Sequence, residues 1–221
     1  MKRSEIYGFL KDVASNNNRE WMQENRQRYL DVMDMFEQMV GELVLRLSAF
    51  DKTVAHVAPK DAIYRFYRDT RFSPDKSPYK RHLGAFINQF GKKSIHCGYY
   101  IHLQPGNSFL GGGGLCLSSQ VMNAIRRTIE AETDEFLSIV RNPSFVSLYK
   151  EIGEQKLKKM PRGFDNAFPY PEYIKVKDYI VWRPVDDDFF VSDKWIDETV
   201  ESFRIMKPYN DFLNNVIDDY L

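Results

Sequence analysis

The sequence lacks long apolar runs, has few cysteines and carries no excess of charge of either sign. Its uninterrupted apolar runs do not exceed five residues, whereas a membrane-spanning helix needs about 20. Two cysteines, Cys97 and Cys116, are too few for a disulfide framework and are typical of a reducing compartment. The 31 basic and 31 acidic residues exclude a highly basic nucleic-acid arm, and 43% apolar residues exclude a disordered chain. We therefore predict a soluble, cytoplasmic globular protein with no membrane association.

The balanced charge conceals an asymmetry along the chain. Residues 1–110 contain 17 basic and 12 acidic side chains, whereas residues 186–221 contain ten acids and three bases. An acidic C-terminal segment is most often the solvated face of a helix. The alternative is an acidic surface that meets a basic partner or a neighbouring subunit. Formation of a homo-oligomer is therefore one of the open alternatives.

The N-terminal residues show the apolar spacing of an amphipathic helix. Ile6, Phe9, Leu10 and Val13 follow the i, i+3, i+4, i+7 pattern, and Ser4 precedes them as a candidate N-cap. After Asn16-Asn17-Asn18, the spacing of Asn17 and Glu20 is that of a capping box, which predicts that a second helix begins here. Its apolar stripe continues to Leu47, so we expect a helix of about eight turns.

From about residue 61 the apolar period changes to that of strands. Pro105-Gly106-Asn107 is a turn signal, and successive hairpins favour an antiparallel meander over parallel βαβ units. The predicted strands are 62–67, 83–90, 94–103, 108–115 and 179–182.

Cap residues mark later helices. Ser118 or Ser119 begins one, Asn142-Pro143 begins another, and Ser192 caps a last helix that continues towards Leu221. Helices flanking one antiparallel sheet define an α+β fold. We predict a single domain over residues 1–221, with a central antiparallel sheet of four or five strands and long N-terminal and C-terminal helices.

The most informative segment is residues 64–82, in which basic, aromatic and hydroxyl side chains are interleaved around Pro74 and Pro78. Each proline restricts its own φ and biases the preceding residue towards extended geometry. Asp75 can close an Asx turn on the backbone two residues further on. Arginine and lysine bind phosphate or carboxylate groups. The candidate anion-binding residues of this strand-turn motif (residues 65–82) are Arg65, Arg68, Arg71, Lys76 and Lys80.

A purely structural role explains the same residues. Asp69 between Arg68 and Arg71, and Asp75 beside Lys76, would form ion pairs that stabilise the fold without a ligand. Residues 65–82 are therefore either a binding site or a structural ion-pair motif in an interaction protein.

The run from Arg68 to Lys80 resembles the signature of domain of unknown function 2461, a bacterial and fungal family of uncharacterised proteins. The resemblance extends over nearly the whole chain, and it implies no established activity. Cys116 and Phe168 depart from the pattern, because we expect an aromatic residue and a histidine at these positions. The other matching segments are Asn16–Trp21, Gly98–Tyr100, Gly111–Gly114 and Pro161–Asp165.

A run of four glycines precedes the helix that Ser118 or Ser119 caps, which makes Gly112, Gly113 and Ser118 a secondary candidate wall for an anion. His96 and His102 share a face of the predicted strand 94–103, but about 20 Å separates their backbones. No metal-ligand, P-loop or nucleophile-elbow motif is present. We therefore predict neither a metal nor a cofactor.

The predicted function is the binding of a small anionic ligand that bears phosphate or carboxylate. One alternative is an enzyme that acts on phosphoester or acyl substrates at the same site, with Asp69 or Asp75 as weak candidates for its general base. Another is a single-stranded RNA surface, which the neutral net charge disfavours.

Overall fold

The computed structural model describes residues 2–221 and has the predicted α+β architecture. Four antiparallel strands form a sheet in the order β1-β2-β3-β4, so neighbours in sequence are neighbours in the sheet. The strands are β1 (Leu83–Ile87), β2 (Gly98–Leu103), β3 (Ser108–Gly114) and β4 (Tyr179–Val185). The helices found within these residues are α1 (Ser4–Ser15), α2 (Arg19–Glu24), α3 (Arg26–Leu47), α4 (Pro59–Ala62), α5 (Ser119–Ala131), α6 (Thr133–Val140), α7 (Pro143–Leu148), α8 (Pro171–Ile174) and α9 (Trp195–Tyr220).

The chain forms two compact units. The first comprises residues up to 92, 100–110 and 184–200, and the second comprises residues 93–99, 111–183 and 201–221. Strands β2, β3 and β4 and helix α9 contribute residues to both. The single domain over residues 1–221 stays a prediction, and its first residue, Met1, lies outside the described residues.

The core of the first unit is built on the apolar faces of α1 and α3. Phe9 of α1 and Phe36 of α3 are fully buried, as their helical spacing predicts. The ring of Phe66 lies 5.9 Å from that of Phe9 and 5.6 Å from that of Tyr29. This packing anchors the chain at Phe66, which lies between the candidate Arg65 and the candidates from Arg68 onwards.

The second unit has an aromatic core. Phe136 of α6 is fully buried, and its ring lies 5.3 Å from Tyr173 and 5.2 Å from Phe212 of α9. The buried guanidinium of Arg126 donates to the carbonyl oxygens of Ile174 and Val176, each at 2.8 Å. These hydrogen bonds offset the free-energy cost of burying the charged guanidinium.

The predicted helix caps are partly wrong. Ser4 is the first residue of α1 rather than its cap, and Asn18 rather than Asn17 caps α2, because Asn18 Oδ1 accepts the backbone N–H of Trp21 at 2.9 Å. The long second helix is interrupted at Asn25, whose amide donates to the carbonyl of Trp21 at 2.9 Å. Such a local side-chain bond competes with helix continuation, so α2 and α3 are separate.

Later boundaries follow the cap signals more closely. Ser118 Oγ accepts the N–H of Val121, and Asn142 Oδ1 accepts that of Ser144, so both predicted caps are confirmed. The last helix begins at Trp195, after a turn in which Ser192 Oγ accepts the N–H of Lys194. Among residues 2–221, no helix has the length and apolar character needed to cross a membrane.

Candidate functional site

Residues 68–78, which we call the basic loop, are closed by main-chain hydrogen bonds at their base. The N–H of Arg68 donates to Pro78 O and the N–H of Lys80 donates to Phe66 O, each at 2.9 Å. Tyr67 and Tyr79 form one isolated antiparallel bridge there. The strand predicted at 62–67 is therefore wrong as a regular strand. Proline has no N–H to donate, so Pro78 limits the ladder to single bridges.

Arg68 holds the loop together from inside. Its Nη1 donates to Asp75 Oδ2 at 2.6 Å and to Ser77 Oγ at 2.8 Å, and its Nη2 donates to Ser73 Oγ at 3.2 Å. Asp75 Oδ1 also accepts the backbone N–H of Ser77 at 2.9 Å, which forms the predicted Asx turn. The bonds from Ser77 and then from Arg68 hold the pKa of Asp75 well below its usual range.

Two further cations are also engaged within the loop. Arg71 donates from Nε to Asp69 Oδ1 at 3.0 Å and from Nη2 to Asp69 Oδ2 at 2.7 Å, although 77% of its side chain is exposed. Lys76 Nζ donates to the carbonyl oxygen of Thr70 at 3.0 Å. Arg68, Arg71 and Lys76 therefore have partners inside the loop without any ligand.

The two aspartates proposed as weak catalytic candidates have the electrostatics of turn formers. The pKa of Asp69 is lowered by its bonds from the side chain and then the backbone of Arg71, and that of Asp75 is lowered as described above. A carboxylate with a lowered pKa is a weaker base at neutral pH. Each one closes a local turn: Asp69 with Arg71 and Asp75 with Ser77.

Arg65 and Lys80 differ from the other three cations. Arg65 is exposed and Lys80 is half-buried, and in residues 2–221 neither has a carboxylate within ion-pair distance. Burial and then the charge of Arg65 lower the pKa of Lys80. The charge of Arg65 also lowers the pKa of Asp69, from beyond ion-pair distance. Lys80 is therefore subject to the charge of a second cation, while no carboxylate of residues 2–221 lies close enough to neutralise it.

Lys80 belongs to a group of contacting titratable side chains, which we call the aromatic–histidine cluster: Tyr64, Lys80, His82, Tyr100 and His102. Lys80 Nζ lies 5.4 Å from the ring centre of Tyr64, and the Tyr64 ring lies edge-on to Tyr100 at 6.3 Å. The Tyr100 hydroxyl lies 2.9 Å from His102 Nδ1. The rings of His82 and His102 are 4.3 Å apart, centre to centre.

Strand geometry places these groups. Tyr100 and His102 are two residues apart on β2, so they share one face of the strand. Gly84 of β1 leaves room for the Tyr100 hydroxyl, which lies 2.5 Å from where a Cβ would be. Any larger residue at position 84 would displace the ring that orients His102.

The tautomer of His102 follows from its partners. Gln104 Oε1 lies 3.0 Å from His102 Nε2 and can only accept, so Nε2 carries the proton and Nδ1 accepts from the Tyr100 hydroxyl. Phe109 of β3 stacks on the same ring at 4.5 Å. Both nitrogens of His102 are therefore occupied, and its ring is held between Phe109 and His82.

Every member of the cluster has a shifted pKa in the direction that favours its neutral form. Burial, followed by the charges of His102 and Lys80, lowers the pKa of His82 to about 4. Burial also lowers the pKa of His102 and raises those of Tyr64 and Tyr100. A cluster of perturbed groups is a physical indicator of a functional site.

Sequence reasoning found Lys80 but missed the rest of this cluster. The alternation of Tyr100 and His102 was an available signal, since residues two apart on a strand share a face. The strand predicted at 94–103 instead placed His102 on one strand face with His96. In the structure β2 begins at Gly98, so His96 precedes the strand. No sequence signal placed His82 beside His102, because their contact depends on how distant segments pack.

The secondary candidates for anion binding, Gly112, Gly113 and Ser118, lie in the second unit, where each has a structural role. The N–H of Gly113 donates to Asn210 Oδ1 at 3.0 Å, so it is not free for an anion. Gly113 has a φ of +86°, and a Cβ there would overlap the carbonyl oxygen of Tyr179. Gly112 is buried with no space for a side chain, and Ser118 acts as the cap of α5.

The second unit also contains a Ser94–His96–Asp218 chain of hydrogen bonds. Ser94 Oγ lies 2.7 Å from His96 Nδ1, and Asp218 Oδ1 lies 2.8 Å from His96 Nε2. Ser94 Oγ also accepts the N–H of His96 at 3.2 Å, so the serine forms a local turn. Residues 2–221 hold no group of three or more His, Cys, Asp or Glu side chains suited to a metal ion.

A family profile described as "Conserved hypothetical protein (DUF2461)" matches residues 5–212. This match covers nearly the whole chain and confirms the resemblance read from the sequence motifs. Comparisons with curated proteins and with solved structures found no match. The description of this family names no activity, so the geometry of the site is the basis for a functional proposal.

Proposed function

We propose that this protein, which belongs to the DUF2461 family of conserved hypothetical proteins, binds a small anionic ligand at Arg65 and Lys80, beside His82. The ligand bears a phosphate or a carboxylate group. The observation that carries the proposal is the half-buried side chain of Lys80, which has no carboxylate of residues 2–221 within ion-pair distance and whose pKa is lowered by burial and then by the charge of Arg65.

Burial of a cation without an acidic partner costs free energy, and a second cation nearby adds to that cost. A bound anion would offset both, because it would supply the missing opposite charge. Arg68 and Arg71 need no such ligand, since Asp75 and Asp69 already pair with them. The proposal therefore centres on two of the five cations that the sequence suggested, and it assigns the basic loop to support.

The alternatives make different demands on the same residues. A purely structural ion-pair motif accounts for Arg68, Arg71 and Lys76, but not for Lys80. A single-stranded RNA surface finds support in Phe72, which is 93% exposed and lies 5.8 Å from the Arg71 guanidinium. An enzyme acting on phosphoester or acyl substrates would need a base, and Asp69 and Asp75 are weak ones. Binding of a small anion needs only the two cations of Arg65 and Lys80.

The test is thermal and chemical unfolding of the full chain with inorganic phosphate, sulfate or acetate. A ligand present at a hundred times its dissociation constant should raise the unfolding free energy by about 2.7 kcal/mol. Lys80→Met and Arg65→Met should remove the increase. Lys76→Met and Arg71→Met are the matched controls, because each removes one charge from the same segment, and both should retain it.

Two results would contradict the proposal. One is the absence of stabilisation by every anion, and the other is equal loss of stabilisation in Lys76→Met and Lys80→Met, which would indicate general screening of charge. Salt-dependent retention of single-stranded RNA that requires Phe72 would favour the nucleic-acid alternative. Turnover of phosphoester or acyl ester substrates by the wild type would favour the enzyme.

A further inference from the structure

His82 is the open end of a column of three rings. Phe109 stacks on His102 at 4.5 Å, and His82 lies against the other side of His102 at 4.3 Å. Within residues 2–221, His102 has hydrogen-bond partners on both ring nitrogens, whereas His82 has none on either. The column therefore fixes the His82 ring and leaves its two nitrogens available to a bound group.

We infer that the site at Arg65 and Lys80 accepts a dianionic phosphoryl group and that His82 takes up a proton when this group binds. This inference rests on the proposed function and goes beyond it by choosing the ligand class and by coupling binding to a proton.

Among residues 2–221, the charged groups that shift the pKa of His82 include no carboxylate. Lys80 of its own segment and His102 of β2 both act on it, and both oppose a positive charge on its ring. His82 is consequently neutral at neutral pH in the free protein, since its pKa is lowered to about 4. A bound dianion removes this opposition, because its two negative charges offset those of Lys80 and Arg65, and an opposite charge within a few ångströms favours the protonated imidazole.

Of the two histidines in this cluster, His82 can accept a proton with the smaller rearrangement of hydrogen bonds. Protonation of His102 at Nδ1 would require the Tyr100 hydroxyl, which now donates to this nitrogen, to turn and accept from it. His82 loses no hydrogen bond on protonation, since neither of its ring nitrogens has a partner in residues 2–221, and the new N–H donates to an oxygen of the ligand. The proton comes from solvent and stays on His82 while the anion is bound.

Charge balance selects the ligand class. Arg65 and Lys80 together supply two positive charges, which more than balance a monoanionic carboxylate and draw no further proton. A phosphate monoester offers two negative charges and several acceptor oxygens, so that a third donor gains a partner. We therefore expect phosphoryl groups to bind more tightly than carboxylates of similar size.

The experiment is isothermal titration of the full wild-type chain with sodium sulfate, at several pH values between about 5 and 8. Sulfate stays a dianion throughout, so any proton taken up comes to the protein and not to the ligand. At each pH, two buffers of different ionisation heat give the number of protons taken up. Inorganic phosphate and acetate are the comparison ligands.

We expect sulfate to bind with proton uptake and to bind more tightly as the pH falls, by up to about tenfold per pH unit. His82→Gln should bind sulfate more weakly, without uptake and with little pH dependence, whereas Lys76→Met should behave like the wild type. Acetate should bind more weakly than sulfate, without uptake.

Sulfate binding without proton uptake in the wild type would overturn the inference and leave the proposed anion site standing. Uptake that persists in a folded His82→Gln variant, or acetate binding as tightly as sulfate, would also overturn it. Absence of binding by all three anions would overturn the proposed function as well. The number of protons that the wild type takes up on binding sulfate tests the inference even if His82→Gln does not fold.

Discussion

The side-chain amide of Asn17 pairs with both main-chain polar groups of Tyr79. Its Nδ2 donates to Tyr79 O and its Oδ1 accepts the Tyr79 N–H, each at 3.0 Å. Asn17 thus takes the place of a neighbouring strand for one residue at the base of the basic loop. Tyr79 itself is buried, with its ring stacked 6.0 Å from that of Phe66.

We expect Asn17→Ala to lower the unfolding free energy by about 2–3 kcal/mol, because it removes the partners of two buried or part-buried backbone groups. Asn18→Ala is the matched control and should cost about 1 kcal/mol, the usual value of one helix N-cap. Urea denaturation of both variants measures the difference. Equal effects would show that the pairing with Tyr79 contributes little.

Arg68 and Arg71 should differ in their contribution to stability. Arg68 makes three bonds to side chains and is 25% exposed, whereas Arg71 pairs with one carboxylate and is 77% exposed. We expect Arg68→Met to lower the unfolding free energy by about 1–2 kcal/mol and Arg71→Met to lower it by much less, because solvent screens the exposed pair of Arg71 and Asp69. A larger loss in Arg71→Met would contradict the assignment of Arg68 as the internal support of the loop.

Stability should fall on the acid side because of His82. Its pKa is about 4 in the folded protein and about 6.5 in an unfolded chain, so the unfolded state binds more protons between these values. The contribution is fully present above about pH 6.5 and is lost as the pH falls towards about 4. His82→Gln should flatten the pH dependence of unfolding in this window. The exposed His56 supplies the matched control His56→Gln, against which the flattening is measured.

Two glycines with positive φ should respond differently to alanine. Gly113 has a φ of +86° and its Cβ would overlap Tyr179 O, whereas Gly106 has a φ of +72° and nothing within 4 Å. We expect Gly106→Ala to cost about 1–2 kcal/mol from its backbone conformation alone. Gly113→Ala should cost at least about 2 kcal/mol more, since the backbone of β4 would have to move. Similar thermal midpoints for both variants would contradict this.

The sequence by itself determined much of the fold and the local form of the loop. Pro105-Gly106-Asn107 separated β2 from β3, Ser118 marked the start of α5, and Asp75 closed its turn on Ser77 as predicted. These signals act over two to four residues, so the local chain carries all the information that they need.

Only the tertiary structure decided which cations keep a partner and which do not. Arg68 meets Asp75 and Ser77, seven and nine residues away, whereas no carboxylate in the described part of the chain lies within ion-pair distance of Lys80. The contact of His82 with His102, and that of Asn17 with Tyr79, join residues 20 and 62 positions apart. Such contacts depend on strand register and on how distant segments pack. The electrostatic environment of each charge is therefore a property of the folded chain, because burial and neighbouring charges arise only when those segments come together.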